Sequence, residues 1–241
     1  MKKFMLLPVA VVLVVNTLFA QQATEVNQKI QMENALESFS TSRSYFITNG
    51  FGAPGNTVGT PYLYAGWSNM WLDSMDNKPV KHSVTYPANF DLDKNMLIIK
   101  SGDNKAFAPE TQHVQAFHFQ QGDTIQYFVR VKMEDANKFL QRLAAGKYTL
   151  VKDAKVLFMR ANYEDKGMVQ TGKKYDEYKK EYTYYLVKDG VPVKISLKKK
   201  SFISALGNDS KALAAAKKFL ETYNGAFDEA AAIEITEALN Q

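Results

Sequence analysis

Apolar and polar residues alternate with a period of two through most of the chain between residues 60 and 200. The alternation is clear over residues 80–86, and again from Val114, where Phe117 and Phe119 alternate with His118. Further stretches rich in β-branched and aromatic residues are 124–131, 147–158, 181–186 and 191–197. Because successive side chains of a strand point to opposite faces, this pattern predicts strands with one buried face. Helical stretches do not alternate with them, so we predict an antiparallel β meander, as a sheet, a sandwich or a partly closed barrel.

Turn-forming residues separate several of these predicted strands. Gly122-Asp123 lies between two β-rich stretches, and Asp189-Gly190 lies between two others. Residues of these types favour tight hairpin turns, so we predict a hairpin at each place and a further turn at Asp93-Lys94-Asn95. Residues 137–145 fit either a helix face or a hairpin arm, and the flanking strands and Gly146 favour the strand.

The end of the chain carries helical signals instead. The candidate N-cap residues are Ser201, Ser210 and Asp228. We therefore predict that the β domain, residues 59–200, is followed by two or three helices in residues 201–241 that pack on it. Residues 21–58 are expected to form a short helix and a linker rich in glycine, proline and asparagine.

The first twenty residues have the order of a secretory signal peptide. Lys2 and Lys3 precede an apolar run from Phe4 to Val15, and the segment closes on the small residue Ala20. A membrane anchor is the competing interpretation, but about a dozen apolar residues fall short of the roughly 20 that a spanning helix needs. We therefore predict that residues 1–20 are removed and that the protein is exported to the periplasm or the cell surface.

The composition excludes several classes of protein. The chain has no cysteine, which excludes disulfides, thiolate metal sites and a cysteine nucleophile, so the predicted fold depends on its core alone. The formal net charge is +5 and falls to +3 without the two lysines of the signal peptide. So small a charge disfavours nucleic acid as a partner. No second long apolar run follows, so we expect no transmembrane segment in the mature chain.

The most distinctive local sequence is the segment of residues 59–67, Gly-Thr-Pro-Tyr-Leu-Tyr-Ala-Gly-Trp. Its rings, those of Tyr62, Tyr64 and Trp67, are candidates for stacking on a sugar or a peptide. The alternative is a strand that fills the core, since large aromatic side chains dominate protein interiors.

Residues that could carry a reaction are scattered through the sequence. The histidines are His82, His113 and His118, and His113 and His118 are five residues apart, which places them on opposite faces of a strand. A metal site would need His82 and a carboxylate from another strand. Phosphate loops, dinucleotide-binding fingerprints and serine-nucleophile elbows are absent from the sequence, so we predict no cofactor.

Residues 172–200 are the most basic part of the chain, with tyrosines interleaved among the lysines. Such a stretch can bind an anionic polymer. The alternative is a β-hairpin whose lysines protect its edges, and the interspersed acidic residues favour it.

Residues 59–67, the β-rich middle, and the segment of residues 197–206, Leu-Lys-Lys-Lys-Ser-Phe-Ile-Ser-Ala-Leu, followed by a helical end, resemble a group of secreted proteins of unknown function from Bacteroidota-type bacteria. The resemblance covers roughly residues 57–225. It implies an envelope location and an order of strands followed by helices, and it assigns no site residue.

Two classes of function remain from the sequence. The first is a non-enzymatic binding or structural module of the cell envelope, whose partner is an envelope glycan, a peptide or a protein. The second is a periplasmic hydrolase with a site assembled from distant aspartate, glutamate and histidine residues. A deep pocket with converging carboxylates would favour the enzyme, and a face with exposed aromatic rings would favour binding.

Overall fold

The computed structural model describes residues 45–46, 51, 55–81, 84–100, 105–165, 167 and 170–241. The predicted signal peptide, residues 1–20, and most of the predicted helix and linker, residues 21–58, lie outside the described residues. The described part of the chain contains fifteen strands followed by three helices. The predicted fold class, mainly β with C-terminal helices, is therefore confirmed.

The strands are β1 Tyr45–Phe46, β2 Thr57–Val58, β3 Ser68–Met75, β4 Lys78–Pro79, β5 Tyr86–Asp91, β6 Met96–Lys100, β7 Lys105–Phe107, β8 Val114–Gln121, β9 Thr124–Lys132, β10 Asn137–Ala144, β11 Tyr148–Met159, β12 Glu164–Asp165, β13 Gln170–Thr171, β14 Asp176–Lys188 and β15 Val191–Ile195. The helices are α1 Lys199–Ala205, α2 Ser210–Thr222 and α3 Glu229–Leu239.

Thirteen of the described strands form one open sheet. Its order is β1-β7-β6-β5-β3-β8-β9-β10-β11-β14-β15, with β4 beside β3, β2 beside β14, and β12 and β13 in a separate hairpin. The described pairs are antiparallel except that of β2 with β14, which is parallel. Neighbours in sequence are neighbours in the sheet from β8 to β11, as the meander predicts, whereas β3 is inserted between β5 and β8.

The turn predictions are confirmed. Gly122 has a φ of 58° in the turn between β8 and β9, and Asp189 and Gly190 have φ angles of 52° and 77° between β14 and β15. These left-handed angles match the right-handed twist of hairpin strands. Residues 137–144 form β10, so the strand was the correct choice there.

The prediction of a strand over residues 80–86 is wrong for most of this segment. Among its described residues, only Tyr86 lies in a strand. The preceding residue, Pro79, has no backbone N–H, and the N–H of Val80 donates to the Asp73 carbonyl at 2.9 Å, closing the β3–β4 hairpin. Val80 and Val84 nevertheless pack into the main core. The alternation in this segment therefore reflects the burial of one side of the chain and not the backbone pairing of a β-strand.

One face of the sheet surrounds an aromatic core. Its buried phenylalanines come from β5, β7, β8, β9 and β10, and they are Phe90, Phe107, Phe117, Phe119, Phe128 and Phe139. The rings of Phe117 and Phe128 stack at 5.2 Å, and the ring of Phe139 meets that of Phe117 edge-on at 5.0 Å. Each fully buried ring contributes about 2–3 kcal/mol, so this cluster contributes strongly to the stability of the sheet.

The helices cover the other end of the same face. Tyr148 and Leu150 of β11 are buried under the helices, while Ala154 and Val156 of β11 reach the aromatic core. All four are even-numbered residues of one strand and so share a face. Helix residues in this second core include Phe202, Ala216, Ala232 and Ile235.

Asp209 holds α2 to the sheet. Its carboxylate caps the helix by accepting the N–H of Ala212 at 3.1 Å. The same carboxylate accepts from Lys147 Nζ at 2.9 Å, from Lys188 Nζ at 3.0 Å and from the Tyr148 hydroxyl at 2.8 Å. Lys147 and the other donors hold the pKa of Asp209 far below its usual range.

The cap predictions are confirmed for one of the three helices. Asp228 caps α3 through the N–H of Ala231. Asp209, not Ser210, caps α2, because the carboxylate also reaches the lysines of the sheet. Ser201 lies inside α1, and its hydroxyl accepts the N–H of Ser196.

We expect Asp209→Asn to lower the urea midpoint of unfolding at pH 7. A carboxylate with a depressed folded-state pKa stabilises the fold above its unfolded pKa of about 4, and that contribution is lost as the pH falls further. The difference from wild type should therefore shrink progressively below about pH 4. Asp123→Asn, in the exposed β8–β9 turn, is the matched control, and a difference that does not change with pH would contradict this role of the charge.

Candidate functional site

β10 and β11 pair at one end and separate at the other. Their pairing ends at Gln141 and Lys152. At Phe139 the side chain of Asn95 takes the place of the missing strand: its Nδ2 donates to the Phe139 carbonyl at 2.8 Å, and the Phe139 N–H donates to its Oδ1 at 2.7 Å. The amide completes the backbone hydrogen bonding of Phe139, so β11 is not needed there.

The β5–β6 turn that carries Asn95 is fixed by a buried carboxylate. Asp91 Oδ1 accepts the N–H groups of Asp93 and Lys94, both at 3.0 Å. Burial raises the pKa of Asp91, while these two hydrogen bonds oppose the increase. Asn95 itself has a φ of 51°, a left-handed conformation that asparagine tolerates better than most residues.

A cavity of about 130 Å³ lies where the two strands separate. Its apolar lining consists of Leu63, Phe90, Leu92, Phe128, Phe139 and Ala154. Its polar lining consists of Asn95, Gln126, Gln141, Lys152, Lys180 and Tyr182. Two lysines and no acidic residue line the cavity, which we call the Lys180 pocket.

Lys180 is the distinctive charge of this pocket. Its Nζ donates to the carbonyl of Tyr62 at 3.0 Å, and no carboxylate of the described residues lies within ion-pair distance of it. Burial lowers the pKa of Lys180 because the charged form is poorly solvated there. An ammonium group has three donors, so two of them are left for a ligand.

The second lysine is neutralised by a helix. Lys152 Nζ lies 3.1 Å from both carboxylate oxygens of Glu229, in the first turn of α3. The Tyr184 hydroxyl donates to the same carboxylate at 2.7 Å, and Lys152 Nζ lies 5.2 Å from the centre of the Tyr182 ring. The pocket therefore presents one uncompensated cation beside an apolar wall, an arrangement that suits a small anion with an apolar part.

The predicted aromatic segment forms a side of the pocket. Leu63 lines it, and the Tyr64 hydroxyl donates to Gln126 Oε1 at 3.4 Å. The Tyr64 ring meets Phe119 edge-on at 5.3 Å, and burial raises the pKa of Tyr64 to about 12. This tyrosine is thus anchored in the aromatic core.

Tyr62 and Trp67 pack elsewhere. Both rings lie edge-on to the buried ring of Phe51, at 4.8 Å and 4.7 Å. The buried side chain of Asn89 fixes the intervening loop through the carbonyls of Tyr64 and Gly66. Tyr62, Tyr64 and Trp67 are half-buried, and each has an intramolecular ring partner, so their role in ligand binding stays a prediction.

The histidines with described side chains make separate hydrogen bonds with aspartates. His113 Nδ1 lies 2.8 Å from Asp76 Oδ1, and His118 Nδ1 lies 2.8 Å from Asp73 Oδ1. The His118 ring also stacks on Trp71 at 5.3 Å. His82 lies outside the described residues, and within them no three histidine, aspartate or glutamate side chains are grouped as metal ligands.

The basic residues 172–200 are distributed along β14 and β15, and acidic neighbours pair with several of them. Lys173 pairs with Glu177, and Lys179 with Glu181. Lys180 differs because it lies on the face that also carries Tyr182, Tyr184 and Leu186. The sequence signal for the site was a lysine at a position of β14 where the alternation otherwise places aromatic and apolar residues. Sequence reasoning missed it because many other lysines surround it.

The chain matches no known protein family, no curated protein sequence and no solved structure at a significant level. Within the described residues, none of the helices has the length and apolar character to span a membrane.

We expect Tyr64→Ala to lower the free energy of unfolding by about 2–3 kcal/mol, because it removes a ring packed on Phe119. Tyr182→Ala is the control, since Tyr182 is 53% exposed, and it should cost less than about 1 kcal/mol. Urea unfolding followed by tryptophan fluorescence measures both. Equal costs would show that Tyr64 is not part of the core.

Proposed function

We propose that the protein is a non-enzymatic binding module of the cell envelope and that the Lys180 pocket holds its ligand. The ligand class is a small organic anion with an apolar group, or the anionic end of a longer molecule. The signal peptide predicted at residues 1–20 supports the location, and the pocket supports the activity.

The observation that carries this proposal is the environment of Lys180. A partly buried ammonium group without a carboxylate partner lowers stability, and a bound anion would offset that loss. The neighbouring side chains can complete the recognition. The side-chain amide of Gln141 lines the pocket and can donate or accept a hydrogen bond, and Phe128 and Phe139 supply an apolar surface.

The size of the pocket limits what can enter. A volume of about 130 Å³ corresponds to about four water molecules, well below the cavities that hold drug-sized ligands. Benzoate is a suitable probe, because it combines a carboxylate with one apolar ring. With about nine heavy atoms at about 0.5 kcal/mol each, the expected Kd is about 1 mM.

We expect benzoate to bind saturably and Lys180→Met to weaken it by about tenfold or more, because a charge-assisted hydrogen bond contributes about 1.5–3 kcal/mol. NMR titration of backbone amides around Gln126 and Gln141 measures the affinity. Lys179→Met, the adjacent lysine on the opposite face of β14, should bind as wild type does. Equal binding by Lys180→Met, or binding of neutral benzyl alcohol as tightly as benzoate, would contradict the proposal.

We also expect Lys180→Met to raise the thermal midpoint at pH 7, by the equivalent of about 0.5 kcal/mol, because water still screens a half-buried ammonium. The folded-state pKa of Lys180 lies below its unfolded value, so the unfolded chain binds more protons between the two values. The stability advantage of the variant over wild type should therefore shrink as the pH rises through the lowered pKa of Lys180. Thermal unfolding between pH 7 and pH 10 measures this, and a variant less stable than wild type throughout would contradict it.

A further inference from the structure

The outer half of β11 leaves the sheet as part of a two-stranded ribbon with β14. Beyond Lys152 no described strand pairs with β11 on its β10 side. Near this point Lys138 of β10 still reaches across to Asp153 of β11, with Nζ and Oδ2 3.9 Å apart. The backbone of residues 155–159 therefore presents an edge able to accept another strand.

This edge carries an unusual sequence. Residues 156–159 read Val-Leu-Phe-Met, without a charge, and Leu157, Phe158 and Met159 are 44%, 49% and 45% exposed. Proteins usually protect a long edge with charged residues or proline. The partner strand does so, because residues 179–181 of β14 read Lys-Lys-Glu.

The edge is complementary to itself. Consider two copies whose edges run antiparallel and are related by a two-fold axis perpendicular to the sheet. In such a pair, the numbers of any two opposed residues add up to the same even number. With Leu157 on the axis, Val156 lies opposite Phe158 and Lys155 lies opposite Met159, and all of these residues belong to β11. This register places apolar side chains together on both faces and brings no like charges into opposition, which satisfies the rule for cross-strand pairs.

We propose that β11 is a homodimer interface, in which residues 155–159 of two copies pair antiparallel with Leu157 at the two-fold axis. The two sheets become continuous, and the backbone groups of each edge are hydrogen-bonded. The interface lies next to the Lys180 pocket, because Val156 is the cross-strand neighbour of Lys180. The pairing itself uses the edge of β11 that faces away from β14.

The absence of cysteine from the chain provides a direct test. Directly opposed residues have Cα atoms about 4.5–5.5 Å apart, within the range of a disulfide. We expect full-length Leu157→Cys to form an intermolecular disulfide under mild oxidation. Lys155→Cys is the matched control, because two copies of residue 155 are offset by four residues, about 13 Å along the strands, and cannot bond.

Sedimentation equilibrium gives a second readout that needs no cysteine. We expect wild-type protein to reach twice the monomer mass with rising concentration, and Leu157→Lys to remain a monomer with an unchanged circular dichroism spectrum. Wild-type protein that is monomeric at every concentration would overturn the proposal. So would cross-linking of Lys155→Cys at the rate of Leu157→Cys, because that would show random collision of the edges.

Discussion

The hydrogen bonds between Asn95 and Phe139 determine the form of the sheet in this protein. A backbone N–H and carbonyl on a strand must be paired, and in an ordinary meander β11 would pair with both groups of Phe139. The amide of Asn95 pairs with them instead, at 2.7 and 2.8 Å. β11 is thereby released from β10 after Lys152, and the space between them becomes the Lys180 pocket. The same separation leaves residues 155–159 as an open edge.

The opposite end of the same strand is held firmly. Asp209 links α2 to two lysines and a tyrosine, and Glu229 links α3 to Lys152 and Tyr184. Asn240 adds a third attachment, because its amide donates to the carbonyls of Ala145 and Tyr148 and accepts the Tyr148 N–H. β11 is therefore fixed under the helices at its beginning and exposed at its end. Lys152 lies at the boundary, where it belongs both to the helix attachment and to the pocket.

This arrangement explains why one lysine differs from its neighbours. Lys180 lies on the inner face of β14, where Tyr178 and Tyr182 flank it in the alternation, and its ammonium group donates to the carbonyl of Tyr62. Lys179 and Glu181 lie on the outer face and pair with each other at 3.2 Å. Two adjacent lysines thus have different surroundings: Lys179 pairs with a carboxylate on the outer face, and Lys180 lies beside a cavity.

The sequence by itself determined the local structure: the strands of β8–β9 and β14–β15, their turns at Gly122-Asp123 and Asp189-Gly190, and the helical end capped at Asp228. These features depend on side-chain alternation and on φ preferences, which act over a few residues. Only the tertiary structure decided that β3 lies between β5 and β8, that Asn95 reaches a residue 44 positions away, and that Lys180 faces a pocket. The period-two pattern specifies which residues share a face but not which strands are neighbours, because pairing partners are selected by packing across the whole core. For the same reason Tyr62, Tyr64 and Trp67 could be recognised in the sequence as a distinctive group, whereas their division between Phe51 and Phe119 depended on the folded chain.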